Sequence, residues 1–368
     1  MNFEIYHLYL YSHNLQQKMS FNKVNIQWLD TLRTFATLGV ILIHISSSII
    51  NASFNKNVEN WWFGNFLMSI TRFAVPMFLL LSGATMLGRE YNLKEFYQKR
   101  LMRVVVPFLF WIIVYFFFRY FTLPTKNPPT GFANILHWAG NLFITEGVSK
   151  HFWYIYMIVF IYLFVPLLIK ITKFIPVKYF PIFLILWFLL ASWNTRFSAN
   201  MYLFSDFGRI LKYFVYMGFL FVGWFLTHHI TITKKIRISA FIVFLLTVIY
   251  AVFTVYLKSI GAKSTDQSIY NYMSYNTIIQ AASLFILIKN TSVKNKILNS
   301  INKEISNYSF GIYLVHIMII GILYNHGIFW KMANPFISIP IIFTLVLLIS
   351  YIIIYLLRKI PYGKYIAG

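Results

Sequence analysis

Residues 238–257 read ISAFIVFLLTVIYAVFTVYL, a run of 20 residues without a charged side chain, directly after the basic group KKIR at 234–237. A helix needs about 20 mostly apolar residues to cross the hydrocarbon core of a bilayer, because each residue adds about 1.5 Å. The hydrocarbon offers no water to an open backbone, so such a run is helical there. The stretch predicts a transmembrane helix.

Nine further apolar stretches are separated by polar breaks. With 59% hydrophobic and 11% charged residues over 368 positions, the chain is unusually apolar for a soluble protein. We predict an all-α integral membrane protein, a bundle of about ten transmembrane helices. The predicted domains are an N-terminal cytoplasmic segment (1–25), a transmembrane domain (26–360) and a short cytoplasmic tail (361–368). The predicted spans are 31–50, 63–87, 104–122, 152–169, 179–194, 210–229, 238–257, 272–290, 307–325 and 336–357.

The net charge of +23 would suit a nucleic-acid-binding protein, but the basic residues are distributed by predicted membrane side. With the N-terminus inside, 21 of the 32 Lys and Arg residues lie on the cytoplasmic side, as expected for cytoplasmic loops. We predict cytoplasmic N- and C-termini and a location in the cell (plasma) membrane. The lipid bilayer is then a partner and nucleic acid is not, while homo-oligomerisation stays open.

The absence of cysteine excludes disulfides, thiolate metal sites and a cysteine nucleophile. The sequence also contains no metal-ligand cluster, Gly-rich phosphate loop or G-x-S-x-G motif, and we predict no metal. Its connections are too short for a separate catalytic domain of ordinary size. Any chemistry is therefore expected among the helices.

His44 is the first candidate for chemistry, because ionisable groups inside membrane spans are costly and mark functional sites by default. It follows Arg33 by eleven residues, which places its imidazole about 16 Å into the first span. With an ordinary pKa near 6.5, the ring suits a general base or an acyl carrier. The alternative is a histidine that hydrogen-bonds a neighbouring helix.

Asp30 and Arg33 open the same span and share one helical face. Asp30 lies fourteen residues before His44, close to four turns, so both are on one face but about 21 Å apart. We group Asp30 with His44 as a catalytic candidate and expect Arg33 to shape the mouth of a channel leading to His44. The alternative is a helix cap beside an ordinary cytoplasmic arginine.

Arg100 and Arg103 lie one turn apart at the start of the third span, with Lys99 beside them. Two guanidinium groups on one face suit a phosphate-bearing ligand, since each can donate two parallel hydrogen bonds. The phosphates of coenzyme A fit this chemistry. A cluster that binds lipid headgroups is the alternative.

Further candidates lie on the predicted acceptor side. There, aromatic rings could stack on sugars, although Trp and Tyr also populate every membrane interface. In the ninth span, polar side chains share one face and either line the same cavity or bond another helix. Ser82-Gly83 is expected to allow close approach of helices rather than to supply a nucleophile. The acceptor-side candidates are Glu146, His151, Trp153, Tyr313 and His316.

Five motifs follow one another along the chain in an order that resembles the integral membrane acyltransferase 3 family, which includes bacterial O-acetyltransferases of surface polysaccharides. Where family members often have Phe-Phe-x-x-Ser-Gly, this chain has MFLLLSG at 77–83. Many peptidoglycan-modifying members continue into an outer esterase-like domain after the last span, whereas this sequence stops about ten residues beyond it, so we expect it to resemble the stand-alone members. The motifs are LDTLR (29–33) followed by His44, PMFLLLSG (76–83), RLMR (100–103) with Pro107, HFWY (151–154) with Pro166, and SFGIYLVH (309–316).

The resemblance implies that His44 is catalytic and that Arg100 and Arg103 contact an acyl-CoA donor. We therefore expect an O-acetyltransferase that moves an acetyl or succinyl group from cytoplasmic acyl-CoA, with acetyl-CoA as donor substrate, to an envelope polysaccharide or lipid-linked glycan. The alternative is an exporter of a polysaccharide or lipid-linked sugar, for which inverted repeats and broken helices are the usual signs.

Overall fold

The structure is a computed structural model that describes residues 27–122, 129–145, 147–197 and 205–368. All regular secondary structure within these ranges is helical. The helices are α1 (Gln27–Ser53), α2 (Val58–Thr71), α3 (Ala74–Met86), α4 (Leu93–Phe96), α5 (Met102–Thr122), α6 (Phe132–Ile144), α7 (Trp153–Phe174), α8 (Phe180–Phe197), α9 (Ser205–Tyr216), α10 (Gly218–His228), α11 (Lys234–Ser259), α12 (Tyr275–Ile288), α13 (Lys296–Asn325), α14 (Pro335–Lys359) and α15 (Gly363–Ile366).

Seven helical segments of the described chain are long and apolar enough to cross a membrane. They coincide with seven predicted spans, which confirms a multi-pass helical membrane protein. The other three predictions, at 179–194, 210–229 and 272–290, fall on shorter helices, so the count of ten stays a prediction. The seven segments are Gln27–Ser53, Val58–Met86, Leu93–Thr122, Trp153–Phe174, Lys234–Ser259, Lys296–Met332 and Pro335–Lys359.

The helix predicted at 272–290 is short because both of its ends are fixed by hydrogen bonds. Ser274 caps the start of α12 by accepting a bond from the backbone of Thr277. Lys289 follows its last residue, and its ammonium donates to the carbonyls of Leu226, Thr227 and Ile230 at 2.6–2.9 Å. The 14 residues between these ends span only about 21 Å.

The span predicted at 210–229 is interrupted at Met217, between α9 and α10. The Trp187 indole occupies the break and donates from Nε1 to the carbonyl of Val215 at 2.7 Å. A Cβ on Gly218 would lie 1.9 Å from the Trp187 ring, so this ring requires glycine at the start of α10. A helical pattern in the sequence cannot reveal a break that a distant tryptophan stabilises.

Two glycines bring α3 and α10 into backbone contact. A Cβ on Gly83 would lie 1.9 Å from the carbonyl oxygen of Leu220, and one on Gly223 would lie 1.9 Å from that of Leu80. Small residues at such crossings allow van der Waals contact between membrane helices. The prediction that Ser82-Gly83 permits close approach is confirmed.

Helix α6 lies in the segment that the sequence suggested was only a connection. Its Trp138 ring packs on Phe116 and Tyr120, while Phe132 and Leu136 are exposed. A helix that is apolar beyond its packed face is typical of the membrane interface, and it is too short to be found by counting transmembrane-length runs.

The start of α1 and the end of α14 lie at the same end of the helical bundle. Arg33, near the start of α1, and Arg358, near the end of α14, line the same cavity. The predicted even number of membrane crossings would place both of these helix ends on the same side. Which side of the membrane they face stays a prediction from the charge distribution.

Candidate active site

Three histidines that are far apart in the sequence meet in the interior. His44 lies in α1, His316 in α13, and His151 in the buried stretch before α7. The His316 ring centroid is 5.2 Å from those of both His44 and His151, and the last two are 6.5 Å apart. His44, His151 and His316 are hereafter the histidine cluster. Among the described residues, no group of three or more His, Asp or Glu has the geometry of a metal site.

The hydrogen bonds of the cluster leave two of its ring nitrogens without a partner. His316 donates from Nδ1 to the carbonyl of Tyr313 at 2.6 Å, which leaves Nε2 as the acceptor of a neutral ring. The Nδ1 of His151 pairs with the Ser149 hydroxyl at 2.8 Å. Neither Nε2 has a hydrogen-bond partner within the described chain. Buried, unpaired polar atoms are uncommon in native proteins, so both nitrogens are candidates for a hydrogen bond to a bound ligand.

Tyr115 fixes the turn of α13 that carries His316. Its hydroxyl donates to the carbonyl of Leu314 at 3.1 Å and accepts from the backbone N–H of Met318 at 3.0 Å. A side chain inserted into the helical hydrogen bonds in this way distorts a helix locally. The Tyr115 ring also packs 5.4 Å from that of His151. Sequence analysis missed this residue, because an aromatic residue in an apolar span carries no distinct signal.

His151 is buried because the chain before α7 enters the bundle. Val148, Ser149 and Phe152 are buried with it, and Arg119 donates to the carbonyl of Gly147. Non-helical backbone is tolerated at membrane depth when protein surrounds it. The sequence placed His151 just before a span on the acceptor side, and the structure brings it beside His44.

Arg72 is a second residue that the sequence analysis missed. It lies between α2 and α3, is 7% exposed, and its guanidinium is 4.5 Å from the ring of Tyr270. The side chain also donates from Nε to the carbonyl of Met68 at 3.3 Å. Its position in the predicted span 63–87 was the available signal, since charged residues inside spans mark functional sites.

A cavity of about 980 Å³ leads from a cationic mouth toward the cluster. Its lining includes Phe78, Tyr162 and Ser309, and also Tyr154 and Tyr313. The Tyr313 ring lies 5.6 Å from that of His316, and its hydroxyl donates to the carbonyl of His151. The cavity therefore comes within one side chain of the cluster. Its basic lining residues are Arg33, Lys99, Arg100, Arg103, Arg358 and Lys364.

The predicted donor-side residues lie at this cavity. Arg33 donates from one nitrogen to Asp30 at 3.2 Å and to the Ser306 hydroxyl at 2.8 Å, and Ser306 donates to Asp30 at 2.7 Å. Arg100 lies within a π-helical turn of residues 97–101, and it lines the cavity together with Arg103. Asp30 is therefore engaged at the mouth, many residues away from His44.

The predicted acceptor-side residues separate into two groups. Tyr313, His316 and His151 join the histidine cluster. Trp153 instead stacks on Tyr272, with ring centroids 5.7 Å apart. Glu146 lies outside the described residues.

The bundle therefore holds a cavity with a basic mouth, and its lining residue Tyr313 contacts the histidine cluster. A family model described as an acyltransferase domain, Acyl_transf_3, matches residues 26–355. The chain belongs to the acyltransferase 3 family and is a membrane acyltransferase. No curated protein and no solved structure matches the chain.

Proposed function

We propose that the protein transfers an acetyl or succinyl group from cytoplasmic acyl-CoA to a hydroxyl of an envelope polysaccharide or lipid-linked glycan, in the plasma membrane. The observation that carries the proposal is that the cavity with the basic mouth extends to Tyr313, whose ring lies 5.6 Å from that of His316 in the histidine cluster. An enzyme that joins a cytoplasmic donor to an outer acceptor inside one bundle requires such a path.

The cavity suits acyl-CoA as the donor. Its volume of about 980 Å³ lies at the upper end of the roughly 300–1,000 Å³ of small-molecule sites. Guanidinium groups at its mouth match phosphate oxygens in geometry and charge. The aromatic residues Phe78, Tyr154 and Tyr162 also line the cavity, and their rings suit an uncharged pantetheine arm. The thioester then lies near Tyr313.

In the proposed reaction, His44 removes the proton of the acceptor hydroxyl as its oxygen attacks the thioester carbonyl. The C–S bond breaks, the departing sulfur takes the proton from His44, and the products are a glycan ester and free coenzyme A. His316 and His151 contribute hydrogen-bond acceptors that orient the hydroxyl. In the alternative order, His44 first carries the acyl group on its ring nitrogen and then passes it to the hydroxyl.

The acceptor is proposed to approach from the side of Trp153 and Tyr272, whose rings stack on each other. Trp153 is next to Tyr154 in the chain, and their ring centroids are 6.2 Å apart. Aromatic faces suit sugar rings, and Trp153 belongs to the predicted acceptor side. His151 then links this side to His44 within 6.5 Å.

The test compares wild-type protein with His44→Ala and His137→Ala. His137 is an exposed histidine of α6 that pairs with Asn141 and serves as the matched control. Envelope glycans from cells that express each variant are analysed by NMR, and purified proteins are assayed for release of coenzyme A from acetyl-CoA and succinyl-CoA.

The expected result is loss of one ester signal and of coenzyme A release in His44→Ala alone. The ester signal that is present in wild type and absent in His44→Ala identifies the acyl group and the acceptor hydroxyl. Trapping of an acylated wild-type protein before acceptor is added would favour the acyl-carrier order. Unchanged esters with a fall in surface polysaccharide would overturn the proposal in favour of export.

A further inference from the structure

The segment after α14 folds back against the bundle. Ala367 is fully buried, and the Trp111 indole of α5 donates to the carbonyl of Ile366 at 3.1 Å. A Cβ on Gly311 of α13 would lie 2.4 Å from the carbonyl oxygen of Ala367. Residues 360–368, here named the tail, are therefore an integral part of the packing between α5 and α13.

The reversal of the chain is encoded at the end of α14. Tyr362 adopts the left-handed conformation with a φ of 62°, which turns the chain after Pro361. Gly363 follows at a position where a Cβ would lie 1.7 Å from the carbonyl of Leu357, so the tight turn requires glycine. The turn presents the next residues, Lys364 and Tyr365, to the donor cavity.

The two cations that this region adds to the cavity have different surroundings. Arg358 donates to the carbonyls of Asn307, at 2.9 Å, and of Gly368, and its guanidinium lies over the Tyr308 ring. Arg358 thus holds the tail. The Lys364 ammonium lies 5.1 Å from the centroid of the Tyr365 ring, and it forms no ion pair within the described chain. An ammonium in this setting remains available to an anion.

We propose that Lys364 binds the 3′-phosphate of the acyl-CoA donor and that the tail is thereby a donor-recognition element. This inference rests on the proposed function. Coenzyme A carries a diphosphate near its centre and a phosphomonoester on the ribose at the end remote from the thioester. Because the thioester belongs near Tyr313, the ribose end lies toward the mouth, where Lys364 and Tyr365 are exposed.

The division of the cations supports this assignment. Lys99, Arg100 and Arg103 belong to one continuous helical segment, and two guanidinium groups one turn apart match the several oxygens of a diphosphate. Lys364 lies on a separate element as a compact point charge, which suits a single phosphomonoester.

The experiment measures the affinity of detergent-purified protein for acetyl-CoA and for acetyl-3′-dephospho-CoA by titration calorimetry, together with the KM for each donor. The variants are Lys364→Gln, Lys364→Arg and the matched control Lys359→Gln. Lys359 also lies 5.1 Å from a tyrosine ring, that of Tyr355, but is not part of the cavity lining.

In Lys364→Gln, we expect acetyl-CoA binding to weaken about fivefold or more, as for loss of a charge-assisted hydrogen bond. Binding of the dephospho donor should not change. Lys364→Arg should retain the preference for the 3′-phosphate, and Lys359→Gln should bind both donors as wild type does.

The assignment would be overturned if Lys364→Gln bound acetyl-CoA with wild-type affinity, or if it lost affinity equally for both donors. In either case, acyl transfer by the wild-type protein would still support the proposed function. If wild-type protein bound neither donor, the proposed function would fail and this assignment with it.

Discussion

Replacing His316 by Phe separates a role of the histidine cluster in chemistry from a role in stability. The residue is fully buried, packs 5.2 Å from the His44 ring, and has one bonded and one unpartnered nitrogen. Phe has a similar flat ring and no nitrogen, so it preserves much of the packing. If His316 orients the acceptor hydroxyl for His44, the substitution removes that function without unfolding the bundle.

The expected energies follow from the two nitrogens. An unsatisfied buried polar group costs about 1–3 kcal/mol, and a hydrogen bond such as that to the Tyr313 carbonyl contributes about 0.5–1.5 kcal/mol. Phe removes both terms, so the free energy of unfolding should change by between about −0.5 and +2.5 kcal/mol. Turnover should fall about 10²-fold, as for a reacting group that is no longer held in its productive position.

Unfolding is followed in detergent micelles, and acyl transfer is measured on the same preparations. His326→Phe is the control, because His326 makes a similar bond to a helix carbonyl, that of Ile322 at 2.9 Å, at the exposed end of α13. We expect wild-type turnover in the control. Full turnover in His316→Phe, or a loss of more than about 2 kcal/mol of stability, would refute the reasoning.

Three further predictions concern the donor site and the packing. Arg100→Lys should raise the Kd for acyl-CoA and leave the KM for the acceptor unchanged, because the charge remains while the planar fork is lost; equal donor affinities would instead indicate a lipid anchor. Gly223→Ala should lower the thermal unfolding midpoint, since its Cβ would lie 1.9 Å from the Leu80 carbonyl, whereas Gly321→Ala, with 3.5 Å to its nearest neighbour, should not. Lys289→Met should destabilise the protein by about 2–4 kcal/mol in equilibrium unfolding, because three backbone carbonyls lose their donor; wild-type stability would contradict this.

Long uncharged runs made most of the fold predictable. The run at 238–257 became a single helix from Lys234 to Ser259, because an apolar stretch of that length has few alternatives in a bilayer. The break at Met217 was not predictable, since it depends on a hydrogen bond from Trp187 to the carbonyl of Val215, 28 residues later in the chain. Helix length follows local composition, and helix breaks here follow tertiary contacts.

The candidate site was predictable to the extent that its residues are costly in a membrane. His44 and His316 were identified because ionisable groups in apolar spans are rare, and Arg72 carried the same signal unnoticed. Tyr115 and Lys364 carried no such signal. One is an aromatic residue in an aromatic span, and the other a basic residue near the end of a basic chain; only the fold shows what each contacts.

Asp30 is positioned to influence His44 without touching it. Asp30 and His44 belong to α1, while Ser306 and His316 belong to α13. The Ser306 hydroxyl bonds to Asp30 at 2.7 Å at one level, and the His44 and His316 rings meet at 5.2 Å at another. The first pair thus helps to hold the register in which the second pair meets, because a slip of one helical turn would move the rings about 5.4 Å apart along the axis. We therefore predict that Asp30 is a positioning residue, which acts on His44 through the alignment of α1 and α13.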